Sequence, residues 1–304
     1  MKRMRLGMAI VLGLGLSMAG SVMAAGSGGN LRYSISVSKF ENKAGWSGQW
    51  DIGNAFGEIM TAALQESGKF IVLGEKDMRG EAMAEQDLAN SGRMAGGKKA
   101  PKTGQMTPAQ LLVKGAVTHV QDSTTGGGAG ISVMGFRVGG STDKAEVNAT
   151  IYIIDSTTGQ VKAQTKVVGK AGRKGLNLGY SGSSFGGDVA GFKKDNVGKA
   201  TEDAVGQGVQ FLEKQLEKIP WEGTVIKGGD KVTINRGSRE GVSVGQVFSV
   251  GAVTTLTDKD TGEVLDTEMK QAGKIKVTSV KEKISYCKVL DGKIKPDMTI
   301  MPAD

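Results

Sequence analysis

The stretch 147–168, VNATIYIIDSTTGQVKAQTKVV, has the pattern of a β-hairpin. Its first half carries apolar residues at every second position, which is the period of a half-buried strand: Val147, Ala149, Ile151 and Ile153. Residues 155–160, DSTTGQ, combine Asp, Ser, Thr and Gly, the residue types that favour a tight turn. The remaining residues, VKAQTKVV, return as a second strand. Two antiparallel strands of one sheet are therefore predicted here.

The chain upstream predicts a strand, a helix, a strand and a helix in succession. The first strand is indicated by apolar residues that alternate with polar ones: Leu31, Tyr33, Ile35 and Val37. An amphipathic helix follows, for which Asp51 is a suitable N-cap and Gly68 a suitable end. Its apolar face comprises Ile52, Phe56, Ile59, Met60, Ala63 and Leu64. Residues 70–75, FIVLGE, predict a second strand, and residues 77–91 predict a second helix that stops at Gly92.

Three further elements complete this part of the chain. Residues 91–106 have the composition of a loop, and Thr107-Pro108 predicts a short turn of helix with proline at its first position. LLVKGAVTHV, residues 111–120, predicts another strand. A last helix, ending near Pro220, is indicated by apolar residues at helical spacing: Val197, Ala204, Val205, Leu212 and Leu216. The order of these elements predicts an α+β domain with helices packed on a sheet.

Two glycine-rich segments, 124–147 and 169–195, flank the predicted hairpin. Glycine occupies seven of the fifteen positions 126–140, although the apolar residues alternate as in a strand. The alternation places Ile131 and Val133 on one side, and Met134, Phe136 and Val138 on the other. The second segment repeats the pattern with Leu176, Leu178, Tyr180 and Phe185. Because glycine weakens a strand, this composition indicates a bend, a close backbone approach or a surface that side chains must leave open.

The pattern changes at about residue 221. Short apolar runs separated by turns, with no helical period, predict a small all-β domain that is either a compact barrel or a sandwich. Within it, Asp258, Asp260 and Glu263 resemble part of a calcium loop. The glycine comes one position early and the remaining ligands are absent. The stretch DKDTGEV is therefore interpreted as a hairpin turn, like the DSTTGQV that starts at residue 155.

The N-terminus, residues 1–25, predicts a secretory signal peptide. Three basic residues precede an apolar run that is too short to span a membrane, and small residues suited to a signal peptidase follow. No cysteine comes directly after the run, so the exported chain is expected to lack a lipid anchor. The remainder divides into an α+β domain, 26–220, and an all-β domain, 221–304. Export to the periplasmic side of a two-membrane bacterium is therefore expected.

Composition argues against several classes of function. The formal net charge is +8, but the basic residues lack the aromatic interleaving of a nucleic-acid surface, so no nucleic-acid partner is expected. Solvated loops or contact with anionic lipid head groups fit them better. His119 is the only histidine and Cys287 the only cysteine, and they are interpreted as a strand histidine and a buried structural thiol. No catalytic constellation, cofactor motif or metal cluster is found, so the chain is not expected to be an enzyme.

Several fragments, taken in order, resemble the CsgG family of curli secretion channels over residues 31–218. They are FENKAG, DIGNAFGEIMTAALQESGKFIVLGEKDM, AEQDLANSG, LLVKGAVTHV, GGGAG and VNATIYIIDSTTGQV. Residues 222–304, with VTINRGSREGVSVGQVFSV, resemble the C-terminal β domain of flagellar assembly protein T. This extra domain and the missing lipid-anchor residue depart from the curli channel itself. Residues 222–304 are expected to be a separable docking domain for an envelope component.

The resemblance implies a homo-oligomeric ring whose α+β domain lies on the periplasmic side. It implies that segments 124–147 and 169–195 join as hairpins in a shared outer-membrane barrel, in contact with lipid. The candidate membrane residues are Ile131, Val133, Met134, Phe136, Val138, Leu176, Leu178, Tyr180 and Phe185. The implied function is a pore or secretion channel for export or assembly of extracellular protein. The alternative is a soluble periplasmic ring or scaffold, similar to a flagellar ring, because Ser132, Arg137 and Asp188 interrupt the apolar faces.

The resemblance also implies a pore constriction in the loop between the first strand and the first helix. The residues that correspond to it are Trp46, Ser47, Gln49 and Trp50. Packing of Trp50 at the start of the helix is an equal alternative. Neither the exported protein nor the envelope partner is identified by these residues.

Overall fold

A computed structural model describes residues 31–48, 50–123, 131–133, 136–138, 144–171 and 196–303. Its α+β part contains the helices α1 (Ile52–Ser67), α2 (Lys76–Asn90) and α3 (Asn196–Leu216). The strands of this part are β1 (Tyr33–Val37), β2 (Glu41–Asn42), β3 (Phe70–Leu73), β4 (Leu111–Ser123), β5 (Ile131–Val133), β6 (Phe136–Val138), β7 (Lys144–Asp155) and β8 (Val161–Lys170). The predicted α+β class is confirmed. The predicted signal peptide, residues 1–25, lies outside the described residues.

The main sheet has the strand order β3-β1-β4-β7-β8, and the short β2 pairs with β4. β1 is parallel to β3 and β4, whereas β4, β7 and β8 form an antiparallel meander. The hairpin predicted at 147–168 is present, and it extends further at both ends, from Lys144 to Lys170. Its turn is held by Asp155, whose Oδ1 accepts the N–H groups of Thr157 at 2.8 Å and Thr158 at 3.2 Å.

β1 is buried along its whole length. The burial includes its two polar residues, Ser34 and Ser36. The loops around Gly74 and Pro108 cover that side of the strand, and both serine hydroxyls donate to them. Ser36 Oγ donates to the Gly74 carbonyl at 3.0 Å, and Ser34 Oγ donates to the Pro108 carbonyl at 2.8 Å. These bonds offset the cost of removing the hydroxyls from water.

The helical turn predicted at Thr107-Pro108 is absent from the structure, so this prediction is wrong. The residues just before β4 have no regular structure. Instead, Gln110 and Ser34 exchange two hydrogen bonds. The Gln110 N–H donates to the Ser34 carbonyl at 2.9 Å, and Gln110 Oε1 accepts the Ser34 N–H at 3.0 Å. This pairing holds the segment extended beside β1, and a helical turn would break it.

α1 and α3 pack against each other and against the sheet. α1 has the predicted ends, because Asp51 Oδ1 accepts the Asn54 N–H at 2.8 Å and Gly68 adopts a left-handed φ of 64°. The predicted apolar face of α1 is buried throughout. The two helices come close at Gly208, where a Cβ would lie 2.7 Å from Met60 Cε. Only glycine fits that contact without displacement of a neighbour.

α3 also occupies the free edge of β8. Gln207 Nε2 donates to the Val168 carbonyl at 2.8 Å, and Gln207 Oε1 accepts the Val168 N–H at 3.3 Å. Asp203 Oδ2 accepts the Lys170 N–H at 3.0 Å. Side chains of a helix thus take the place of a further strand at this edge. The backbone groups of Val168 and Lys170 are thereby unavailable to another strand at this end of β8.

Residues 223–302 form a closed six-stranded barrel in the order β10-β13-β12-β11-β14-β9. The strands are β9 (Gly223–Lys227), β10 (Lys231–Ile234), β11 (Val247–Thr257), β12 (Val264–Val280), β13 (Ser285–Gly292) and β14 (Thr299–Pro302). Of the two all-β forms predicted, the structure has the barrel. The interpretation of Asp258 as a turn residue is confirmed, because its Oδ1 accepts the N–H groups of Asp260 at 2.7 Å and Thr261 at 3.2 Å.

The barrel is tied to the first strand of the sheet. The Arg32 N–H donates to the Glu240 carbonyl at 2.9 Å. The Tyr33 hydroxyl donates to the carbonyl of Ile219, just before the barrel. Burial raises the pKa of Tyr33 well above its ordinary value, and the nearby Glu222 carboxylate adds to the shift. The phenol therefore stays protonated and remains a hydrogen-bond donor at physiological pH.

Gly169→Ala is expected to lower the free energy of unfolding by about 1–3 kcal/mol, as overpacking does in a close contact. A Cβ at Gly169 would lie 1.9 Å from the Ala200 carbonyl oxygen on α3. Gly80→Ala is the matched control, because Gly80 lies on exposed α2 with no atom within 4 Å of its Cβ position. It should raise stability by about 0.5–1 kcal/mol. Urea unfolding followed by circular dichroism measures both, and equal effects would contradict the packing at Gly169.

Candidate functional site

Three strand ends meet at one end of the sheet. Ser123, the last residue of β4, pairs with Lys144, the first residue of β7. Glu146 on β7 pairs with Lys170 at the end of β8. The Lys170 ammonium lies 3.2 Å from the Glu146 carboxylate, and this hydrogen bond lowers the pKa of Glu146. The first glycine-rich segment therefore leaves and re-enters the sheet at this end, and the second leaves from the same place.

The second segment also returns to this end. α3 runs antiparallel to β8, since Asp203 contacts Lys170 while Gln207, one turn later, contacts Val168. The N-terminus of α3, Asn196, therefore lies beyond the end of β8. Residues 172–195 join these two points. We call the group of strand ends at Ser123, Lys144 and Lys170, with the start of α3, the segment root.

The boundaries of the segments differ from those predicted. The sheet includes residues 144–147 in β7 and residues 169–170 in β8. Ala171 extends the pairing, because its N–H donates to the Ala145 carbonyl at 2.9 Å. The segments proper are thus residues 124–143 and 172–195. The candidate residues of the second segment, Leu176, Leu178, Tyr180 and Phe185, lie outside the described residues, as does Met134 in the first.

The first segment contains a short hairpin of β5 and β6. Its register pairs Ile131 with Val138, Ser132 with Arg137 and Val133 with Phe136. Residues directly opposite one another in an antiparallel pair share a face. The four apolar positions therefore fall on one face and the two polar positions on the other. The predicted division of the apolar positions between two sides does not match this register, which pairs Ile131 with Val138 and Val133 with Phe136.

The loop of the predicted constriction runs beside β4 toward the segment root. Glu41 and Asn42 in β2 pair in parallel with Ala116 and Val117 of β4, and the Lys43 N–H donates to the Val117 carbonyl at 2.8 Å. Beyond Val117, β4 continues for roughly 20 Å, at the usual rise per residue, before it ends at the segment root. The loop therefore leaves the sheet on the side that faces the segment root.

Two tryptophans dominate this loop. The rings of Trp46 and Trp50 lie 4.6 Å apart in a tilted arrangement, and both are half-buried against the hydrophobic core. The Asn42 side chain donates to the Trp46 carbonyl at 2.7 Å, and the Trp46 ring lies against Gly48. Ser47 is exposed, and Gln49 lies outside the described residues. The structure thus shows packing contacts for both tryptophans and leaves Ser47 open to solvent.

His119 and Cys287, both interpreted from the sequence as structural residues, have different surroundings. His119 is exposed on β4, just after a bulge at Thr118 that breaks the pairing with β7. Cys287 is buried in the barrel, and burial raises its pKa to about 12. Among the described residues, no three His, Cys, Asp or Glu side chains come together as a metal site. No helix within the described ranges is long and apolar enough to cross a membrane.

Comparison with known families decides the classification. The chain matches the family described as "curli production assembly/transport component CsgG" over residues 18–233. The chain belongs to the CsgG family. The match extends from before the sheet to the second strand of the barrel, so most of the barrel lies beyond it. Membership assigns the chain, in general terms, to secretion- or assembly-related proteins of the cell envelope.

Solved structures similar to this CsgG-family chain share little sequence with it. A PelC dodecamer from Paraburkholderia phytofirmans is 13% identical, with 61% of this chain and 87% of that chain covered and a TM-score of 0.31. The hypothetical protein CT253 from Chlamydia trachomatis is 13% identical, with 60% and 96% covered and a TM-score of 0.34. Lipoprotein GNA1162 from Neisseria meningitidis is 14% identical, with 62% and 99% covered and a TM-score of 0.26. No curated protein matches the chain. The family assignment rests on the family match alone.

Trp46→Ala is expected to lower the free energy of unfolding by about 1–3 kcal/mol, because it removes a half-buried ring that packs on Trp50. Ser47→Ala, at the neighbouring exposed position, should change stability by less than about 0.5 kcal/mol. Chemical unfolding followed by circular dichroism compares the two without relying on tryptophan emission. A Trp46→Ala variant as stable as Ser47→Ala would show that the ring contact contributes nothing to the fold.

The Cys287 thiol is expected to react with a thiol reagent at pH 8 only as the barrel unfolds, because the reactive thiolate is scarce when burial raises the pKa. A Val244→Cys variant is the control, since Val244 is 66% exposed on the same barrel. In that variant one thiol equivalent should react at once and the second slowly. Immediate reaction of both equivalents would contradict the buried environment of Cys287.

Proposed function

We propose that this chain is a subunit of an oligomeric outer-membrane pore or secretion channel for the export or assembly of extracellular protein. One observation carries the proposal: both glycine-rich segments leave the sheet at the segment root and return to it. A shared barrel needs each subunit to offer its hairpins in one direction, and this arrangement meets that requirement. The family membership supports the same function.

The lengths of the two segments suit one membrane hairpin each. Residues 124–143 comprise twenty positions and residues 172–195 comprise twenty-four. A transmembrane strand needs about 9–11 residues, so two strands and a tight turn fit within either segment. Abundant glycine keeps the lumen side open in such a barrel and lets neighbouring strands approach.

The register of β5 and β6 suits a barrel wall. The face that carries positions 131, 133, 136 and 138 is apolar, and the face that carries positions 132 and 137 is polar. Strands of membrane barrels present apolar positions to lipid and polar positions to the lumen. We therefore assign Ile131, Val133, Phe136 and Val138 to the lipid side, and Ser132 and Arg137 to the lumen.

The remaining parts of the proposal follow from this arrangement. The loop with Trp46, Ser47, Gln49 and Trp50 runs toward the root of the proposed barrel, so we place the constriction there. The partners are other copies of the chain, outer-membrane lipid and an exported protein or envelope component. We propose no catalytic role for any residue.

A soluble periplasmic ring or scaffold is the second candidate. The observation that favours it is the closed barrel at 223–302, most of which lies beyond the family match. An added domain of this kind suits docking to another envelope component. In that case the glycine-rich segments join subunits without entering lipid.

Val133→Arg is expected to abolish membrane insertion, whereas Ser132→Arg should leave it intact. A charge on the lipid side costs up to roughly 4 kcal/mol per subunit at mid-membrane and less toward the interfaces, and every subunit of a ring adds its share of that cost. A further arginine on the face that already carries Arg137 meets no lipid. Separation of outer-membrane and soluble fractions, with circular dichroism to verify folding, measures the difference.

The same pair of substitutions can be made in the second segment, where Leu178→Arg should be excluded from the membrane and Asn177→Arg tolerated. If both arginine variants, at position 178 and at position 177, fold but remain in the soluble fraction, the pore is contradicted. That outcome would support the scaffold instead.

A further inference from the structure

The strands β11 and β12 continue past the barrel as a two-stranded ribbon, residues 252–272. β14 pairs with β11 only at 248–251, and β13 pairs with β12 only from Gly273 onward. Within the part of the chain that the structure describes, neither outer edge of the ribbon has a strand partner. None of its residues is buried. Isolated two-stranded ribbons are marginally stable in water, so a surface that covers this one would stabilise it.

One face of the ribbon is both apolar and acidic. The register pairs Leu256 with Asp266, Thr254 with Glu268 and Ala252 with Lys270, so these side chains share a face that carries two carboxylates and one lysine. Leu256 is 61% exposed. The tip beyond it carries three more acidic residues, Asp258, Asp260 and Glu263, against the single Lys259. A partner for this face needs exposed apolar side chains and positive charge.

The chain itself contains a segment of that kind. The loop 91–106 has four basic residues and no acidic residue: Arg93, Lys98, Lys99 and Lys102. Met94 in this loop is exposed as well. The preceding helix α2 has exposed apolar side chains but carries four carboxylates against two basic residues, so the positive charge lies in the loop alone.

The two surfaces lie toward opposite edges of the sheet. The ribbon tip is beside the turn between β7 and β8, where Gln160 Nε2 donates to Glu263 Oε1 at 3.4 Å. α2 follows β3, the strand at the other edge, and stays near it through the ion pair of Lys39 with Asp77 at 3.4 Å. Four strand spacings, roughly 19 Å, separate the two edges. Each copy thus presents the ribbon on one side and the basic loop on the other.

We propose that the acidic face of the ribbon binds the basic loop 91–106 of the next copy of the chain. Such a head-to-tail contact uses different surfaces on the two partners, and repetition closes a ring when the rotation between copies allows it. The inference rests on the ring assembly of the proposed function, but it does not depend on membrane insertion. It assigns an assembly role to a part of the chain that lies outside the family match.

Charge reversal in the full-length protein tests the contact. Asp266→Lys with Glu268→Lys makes the ribbon face basic, and Lys98→Glu with Lys99→Glu makes the loop acidic. Each double variant alone should weaken self-association at least about tenfold at low ionic strength, since like charges then face each other. Sedimentation velocity measures the association, and circular dichroism verifies the fold.

Mixing the two double variants is the decisive arm of the experiment. In an equimolar mixture, the basic ribbon of one variant meets the acidic loop of the other, and the unchanged ribbon meets the unchanged loop. Association should therefore recover to within about threefold of the native protein. Asp230→Lys with Glu282→Lys is the control, because it makes the same charge change at exposed turns of the barrel away from the ribbon. It should leave association unchanged.

The outcomes separate this contact from the pore. Native-like association of both double variants, or a mixture that does not recover, overturns the ribbon contact while leaving the pore intact. Native protein that does not self-associate in buffer or detergent overturns both, and the ribbon then serves another partner. Loss of membrane insertion in Val133→Arg without any change in association leaves the ribbon contact standing.

Discussion

The hydrogen bonds between α3 and the edge of β8 determine most of the architecture. Asp203 and Gln207 are one helical turn apart, and they bind backbone groups of Lys170 and Val168. This spacing sets α3 antiparallel to β8 and brings its first residue to the end of the sheet. The packing of α1 on α3 depends on that direction, and so does the position of Asn196 beyond the end of β8. Without it, the two glycine-rich segments would not share a root.

Elements governed by local chemistry could be predicted from the sequence. Asp51 and Gly68 set the ends of α1, and the turn residues at 155–160 set the register of the hairpin of β7 and β8. Ser34 and Ser36 could not be predicted as buried, because the loops that cover them come from distant parts of the chain. The helical turn at Thr107-Pro108 was wrong for a related reason. Gln110 finds its partners on β1, and that long-range pairing outweighs the local preference of proline.

The candidate site was predictable only in part. The glycine-rich composition marked both segments, but the faces of the first depend on the pairing of β5 with β6. Alternation along a single strand put Ile131 and Phe136 on different sides, whereas the antiparallel register puts them on one. The tryptophans of the loop are likewise ambiguous in sequence. Their mutual packing follows from the return of the chain to α1 after β2, which no periodicity in the loop reveals.

The bond between Arg32 and Glu240, with that between Tyr33 and Ile219, holds the barrel to the sheet rather than leaving it on a free linker. In a symmetric assembly, every barrel would then present the same surface at the same radius and angle. A ligand with repeated binding sites, such as a polymer of the envelope, would meet an ordered array of receptors. Avidity of that kind strengthens binding by about 10²–10⁴ without any new contact. In the proposed ring, a weak site on each barrel would therefore suffice for firm attachment of the whole assembly.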